Sequence, residues 1–293
     1  MKKLSVIIVN YNTRDILRDC LNNLKDIYAD FEVLVVDNAS NDGSAQMVKN
    51  DFKWVRLIEN EQNKGLANAN NLGYSFAAGE YLLYLGSDAF PTKNTIKGII
   101  DFMDANNKIG ISTCKLVLRD GTIDMDAHRG FPTPWASFTH FTGLNKLFPK
   151  SKLLNKYFLG FHTMDVPHEI DMCISHFMLI RRTVFDTVEK WDEDFFLYGE
   201  DVDFCYRTKK AGWKIMYLPQ FETLHYKGAS VGVCKTSSDI TKANEETKRR
   251  ARENTIKAMK IFYTKHYSKV YPAVITVLVL AGIKLMEKIR TRR

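Results

Sequence analysis

Two hydrophobic periodicities alternate along the first third of the chain. Residues 4–9 are a nearly unbroken β-branched run, the pattern of a strand buried on both faces of a parallel sheet. Ile16, Leu17, Cys20, Leu21 and Leu24 then recur at helical spacing, with Asn12 or Thr13 as the cap. Residues 31–36 form a second buried run that ends at Asp37, completing a strand–helix–strand unit. The alternation continues with strands at 56–58, 81–85 and 109–117, a helix entered from Asn63, and another at 95–106.

From Arg119 to Pro167 the periodicity dissolves into prolines and aromatics, a length of weak pattern that usually serves function in a compact protein. Strand character returns at 174–180, followed by a short helix at 183–189, a helix beginning at Glu200 and a strand at 214–218. Residues 247–267 are a basic helix with Ile256, Met259, Phe262, Tyr263 and His266 on one side. Beyond Pro272 the apolar run 273–283 is short for a bilayer span, and Lys265, Lys269, Lys284, Lys288, Arg290, Arg292 and Arg293 edge it. Such a helix lies in the interface and favours anionic lipid. The pattern predicts an α/β fold with a Rossmann-like, mostly parallel central sheet, flanking helices and an amphipathic helical tail. Residues 1–115 form one half of the domain, 116–241 the other, and 242–293 a membrane-associating tail that is expected to be separable from catalysis.

Composition sharpens this in two ways. The net charge of +8 resides in the tail, where residues 242–293 hold 14 Lys and Arg against 4 Asp and Glu, leaving 28 against 30 elsewhere. A nearly neutral body without a basic face argues against nucleic acid as a partner. The five cysteines form no CxxC pair, which fits a reducing compartment and gives no zinc signature. Lys2 and Lys3 precede too short an apolar core for a signal peptide. The expected location is cytoplasmic, peripheral to the inner face of the membrane.

Candidate chemistry clusters at strand ends, where open α/β sheets bind ligands. Asp37 begins a loop of turn formers and can accept a hydrogen bond from the imide of uracil or thymine. The Asn63–Gly73 segment carries four asparagines at a helix entrance, more than capping needs, and Gly65 permits close backbone approach. Asp88, after Gly86 and Ser87, can bind a divalent cation whose other ligands are phosphate oxygens. Glu200, Asp201 and Asp203 fall in the first turn of a helix, where the dipole alone would favour acidic residues. His225 follows a strand.

In this order the pieces resemble the family 2 inverting glycosyltransferases of the GT-A fold, and within them the rhamnosyltransferase-like subgroup. The likeness runs from Leu4 to Ser230. It rests on the Val6–Asn12 strand, the Asp37–Ser44 loop, the Asn63–Gly73 helix, the Glu200–Asp203 motif and His225–Ser230. It implies that Asn10, Tyr11, Asn12, Asp37, Asn38, Lys64, Gly65, Asn71 and Ser87 bind the nucleotide. Asp88 and His225 would hold Mg²⁺ or Mn²⁺, and Asp201 would be the catalytic base. Glu200, Asp203, Asp171 and His176 are placed on the acceptor side. Two departures stand out: Gly86 replaces the asparagine usual before the metal-binding aspartate, and His176 replaces a small residue. The implied reaction moves a sugar, with dTDP-rhamnose the first choice of donor and UDP-sugars next, to a glycan or glycolipid acceptor in polysaccharide assembly. A nucleotidyltransferase would instead need a Gly-rich, basic triphosphate loop where Val9–Asn12 stands, and a non-catalytic sugar-binding module is separated only by turnover.

Overall fold

The computed structural model describes residues 2–27, 31–229, 239–240 and 245–291. Ser230, Cys234, the start of the tail at 242–244, Arg292 and Arg293 lie outside the described residues.

Four parallel strands, β1 (Leu4–Asn10), β2 (Phe31–Asp37), β3 (Arg56–Glu59) and β4 (Tyr81–Leu85), form one half of a single sheet. β8 (Phe177–Arg181) joins β4 in antiparallel sense and passes the sheet on to β6 (Ile109–Leu118), which runs parallel to β9 (Lys214–His225). Two short strands, β5 (Ala89–Pro91) and β7 (His168–Glu169), pair antiparallel with β9. The order is β3-β2-β1-β4-β8-β6-β9-β5, with the first four strands parallel and the remainder mixed. The line drawn at 115/116 falls inside β6.

Alternation along β1 divides the core. Val6 and Ile8 pack with Leu17, Leu21 and Ile99, from α1 (Arg14–Ile27) and α4 (Lys93–Asp104). Ile7 faces the opposite layer with Ala67, Trp191 and Phe204, from the side of α3 (Leu66–Phe76) and α7 (Glu200–Lys210). The weakly patterned stretch holds α5 (Pro134–Phe141) and the single turn α6 (Leu144–Leu147), and α2 (Ser44–Asp51) follows the Asp37 loop.

β9 runs seven residues past the expected end at Leu218. Its register against β6 jumps between Cys114 and Lys115, from Leu218 to Glu222, so that Pro219, which cannot donate to the ladder, sits in an irregularity. The strand then resumes and carries His225 into the sheet rather than into a loop.

The tail consists of α8 (Glu245–His266) and α9 (Ala273–Thr291). It is not a loose appendage. Ala258, Phe262, Tyr263 and Tyr267 bury themselves with Phe195, and Tyr206 of α7 packs against them. His266 Nε2 lies 2.6 Å from Asp203 Oδ1, and Lys265 pairs with Asp192 and Asp194. No helix among the described residues is long and apolar enough to cross a membrane.

Candidate active site

Asp88 lies where β4 passes into β5, and each flanking strand pair brings it a histidine. His176 immediately precedes β8, the partner of β4, and its Nε2 is 3.7 Å from Asp88 Oδ1. His225 is opposite Ala89 in the β5–β9 pair, and its Nε2 is also 3.7 Å from Asp88 Oδ1. Ligand atoms of the three residues all fall within 4.8 Å of one another. The Nε2 of His225 is buried without a hydrogen-bond partner, an orphaned nitrogen beside a buried carboxylate. A carboxylate and two imidazoles are a donor set suited to a divalent cation, so the residues present fit the implied metal. The sequence places His176 on the acceptor side; in the fold it stands at Asp88.

A second layer, absent from the sequence reading, fixes this arrangement. Asp124 Oδ2 accepts from the His225 ring at Nδ1, 2.9 Å away, and Asp124 Oδ1 accepts from Lys227 Nζ at 2.6 Å. Burial opposes ionisation of Asp124, but the hydrogen bonds from His225 and Lys227 and the Lys227 charge override it, holding the carboxyl well below its ordinary range. With Nδ1 committed, Nε2 is the nitrogen left to face Asp88. Burial lowers the pKa of His176, keeping that imidazole neutral.

Asp201, His176 and His225 line one hollow of about 1960 Å³. Asp201 sits in the first turn of α7 behind Gly199, whose φ of 86° is left-handed and turns the incoming loop. Its Oδ1 accepts from the Val202 amide at 2.8 Å. Burial raises the Asp201 pKa, and the nearby Arg129 guanidinium partly offsets this. Glu200 is raised well above its ordinary value by burial and then by the Asp201 charge, and its Oε2 has no hydrogen-bond partner. Of two adjacent carboxyl groups, Glu200 therefore holds its proton more firmly.

Asp203 does not line the hollow. Arg207 and His266 bind its two oxygens and hold its pKa down against burial, so it anchors α8 to α7. Asp171 likewise faces protein, accepting from Lys209 Nζ at 2.9 Å and from the Phe131 amide at 3.2 Å.

Of the residues expected to bind the nucleotide, Tyr11, Asn12, Asn38, Gly65 and Ser87 line the hollow. Asn10 and Asp37 stand one layer behind: Asn10 Nδ2 donates to Asp37 Oδ1 at 2.9 Å, and the Ser40 amide donates to Asp37 Oδ2 at 2.9 Å. Lys64 is off the hollow, its amide turned to Asn38. Asn71 is spent internally, bonding both the amide and the carbonyl of Trp191 and the Glu193 carboxylate, which explains a buried amide on α3 without a ligand. The close approach at Gly65 is made by the chain itself, since a Cβ there would lie 2.4 Å from the Phe196 carbonyl oxygen. That contact ties the entrance of α3 to the loop that leads into α7 and Asp201.

The profile described as Glycosyl transferase family 2 matches residues 5–189. The rhamnosyltransferase WbbL of Escherichia coli K12 is 23% identical over 235 residues, covering 75% of this chain and 82% of WbbL. The N-acetylglucosaminyl-diphospho-decaprenol L-rhamnosyltransferase of Mycobacterium tuberculosis is 28% identical over 211 residues, covering 68% of each chain. Among solved structures, the mannosyltransferase PcManGT of Pyrobaculum calidifontis, in complex with GDP-Man and Mn²⁺, superposes with a TM-score of 0.57 at 15% identity, covering 97% of this chain and 69% of that one. S. aureus TarS with UDP-GlcNAc gives 0.53 at 18%, covering 97% and 81%. With the profile spanning more than half of the chain and the GT-A fold shared with these structures, the protein belongs to glycosyl transferase family 2, as a rhamnosyltransferase-like glycosyltransferase.

Proposed function

We propose that the chain catalyses an inverting transfer of rhamnose from dTDP-rhamnose to a hydroxyl of a lipid-linked glycan, at the membrane surface, in the assembly of a cell-surface polysaccharide. One observation carries this reading: a buried carboxylate with a raised pKa, Asp201, opens onto the same hollow as His225, the neighbour of Asp88. Transfer to an alcohol needs a base for the acceptor proton, and Asp201 is that base; a raised pKa brings a carboxylate nearer to the operating pH. Asp88 and His225 would hold Mg²⁺ or Mn²⁺, which would supply positive charge to offset the negative charge developing on the leaving diphosphate. The Arg129 guanidinium favours the ionised form of Asp201, while burial disfavours charge on Glu200, which when protonated can donate a hydrogen bond to the acceptor. Tyr11, Asn12, Asn38 and Ser87 receive the nucleotide, with Asn10 and Asp37 bracing that wall. No enzyme nucleophile intervenes, so the displacement is single and inverts the anomeric centre.

The apolar part of the hollow's lining supports a lipid-linked acceptor. α5 contributes the exposed Trp135, Phe138 and Phe141 to it. α9 contributes Leu278 and Val279, and carries exposed Val274, Val277, Leu285 and Ile289 along with Lys284 and Lys288. An apolar stripe edged by lysines suits the surface of an anionic bilayer. The relatives named for rhamnosyl transfer favour the donor choice.

The test is nucleoside diphosphate release from dTDP-rhamnose, UDP-glucose, UDP-GlcNAc and GDP-mannose with wild type and Asp201→Asn. The expected result is dTDP release that Asp201→Asn reduces by about 10²- to 10⁴-fold with donor affinity kept. An active Asp201→Asn enzyme refutes the base, and release of UDP alone moves the donor to a UDP-sugar.

A further inference from the structure

The two departures from the family pattern, Gly86 and His176, touch. β4 pairs with β8 through Leu85 and Phe177, so the next residues along, Gly86 and His176, face each other, and the Gly86 amide donates to the His176 carbonyl at 3.1 Å. A Cβ on Gly86 would stand 2.8 Å from His176 Cδ2 and 2.8 Å from Asp88 Oδ1, distances at which something must shift. A side chain at 86 and the imidazole of 176 therefore compete for one space. The glycine thus opens the room that the histidine fills beside the aspartate.

We infer that His176 is a third protein ligand of the divalent cation, so that Asp88, His176 and His225 bind it before any nucleotide arrives and prefer an ion that accepts nitrogen, such as Mn²⁺, Co²⁺ or Zn²⁺, to Mg²⁺. This rests on the glycosyltransferase reading of the site. Ligand atoms at about 2.0–2.2 Å from one ion lie at most about 4.4 Å apart. The two 3.7 Å separations from Asp88 meet that limit, and a set spanning no more than 4.8 Å closes on an ion with shifts of a few tenths of an ångström. A lone carboxylate must borrow the rest of its shell from the donor phosphates. A carboxylate with two imidazoles already supplies half an octahedron and leaves positions for diphosphate oxygens. Imidazole nitrogen strengthens binding along the first-row series, whereas Mg²⁺ prefers oxygen and releases water reluctantly. Asp124 holds the His225 ring in the orientation this needs.

The experiment uses the full-length protein stripped by chelator and titrated with Mn²⁺ alone, the free ion read by electron paramagnetic resonance, and with Co²⁺ read by visible absorption. Each titration is repeated with dTDP. Wild type is expected to take up one Mn²⁺ without nucleotide, at least about tenfold more tightly than His176→Ala, and to keep it against a large excess of Mg²⁺. Gly86→Asn, which crowds the ring without removing it, is expected to reproduce the loss and to weaken the Co²⁺ band. Equal nucleotide-free affinity in wild type and His176→Ala, or a wild type that binds only when dTDP is present, overturns the inference. The reading of the site then survives if Asp88→Ala abolishes the dTDP-dependent uptake. A wild type that binds no metal under either condition overturns both.

Discussion

The tail should be inseparable from the catalytic body, and Phe262 is the residue on which to test this. Its ring is 5% exposed and packs with Phe195, Tyr206 and Tyr267, joining α8 to the loop and helix that present Asp201. Phe262→Ala removes a buried aromatic from a helix whose neighbouring Ala258 already leaves no room for a side chain at Gly199, where an added Cβ would lie 3.0 Å from the Ala258 Cβ. Core Phe→Ala changes cost about 3–5 kcal/mol. At about 2–4 °C per kcal/mol for a domain somewhat smaller than this one, the unfolding midpoint falls by roughly 10 °C. His266→Ala removes a charge-assisted bond to Asp203, which keeps Arg207, and costs about 1.5–3 kcal/mol. Because both act through α7, kcat should fall more than donor affinity. Differential scanning fluorimetry and steady-state transfer to a soluble acceptor measure the two effects. A fragment of residues 1–241 that melts and turns over like the full chain refutes the reasoning, because Phe195 and Asp203 would then lose their partners at no cost.

Two other substitutions probe the site. Asp124→Asn keeps the shape but surrenders the charge that fixes the His225 ring, so cation affinity measured calorimetrically with dTDP present should fall about 10- to 100-fold; unchanged affinity shows that the ring is held otherwise. Glu200→Gln should stabilise the protein, because the folded-state pKa of Glu200 is raised and its charge is therefore disfavoured in the fold. The gain is full above that raised pKa and vanishes below the ordinary carboxylate range, where the side chain is protonated in both states. Melting temperatures at several pH values should show a gain of a few degrees at pH 8 that shrinks in acid, and a pH-independent difference refutes the assignment.

Much of this architecture is legible in the chain because its strands are long and apolar. β4 is a five-residue run of Tyr and Leu, found where expected. β5 and β7, with three and two residues, are too short to carry a period, yet β5 sets the register of His225. Pro219 punctuates a strand that continues past it. Asp88, Asp201 and His225 declare themselves as polar, potentially metal- or proton-binding groups near the ends of apolar runs. Asp124, Lys227 and Arg129 do not, because their roles arise from pairings across about a hundred residues or from a region without pattern. Asn71 misleads for the opposite reason: an unusual polar residue on a helix signals an unmet bond, and here another stretch of the backbone meets it.

β8 runs against both of its neighbours and stitches the parallel half of the sheet to the strands that hold His225. The floor of the hollow is thus one hydrogen-bonded piece, with no break among the described residues about which its two ends can swing. Substrates have to thread in and products back out along a fixed trough, and what is freest to adjust during a cycle is the part of its rim where α5 presents the exposed Trp135, Phe138 and Phe141.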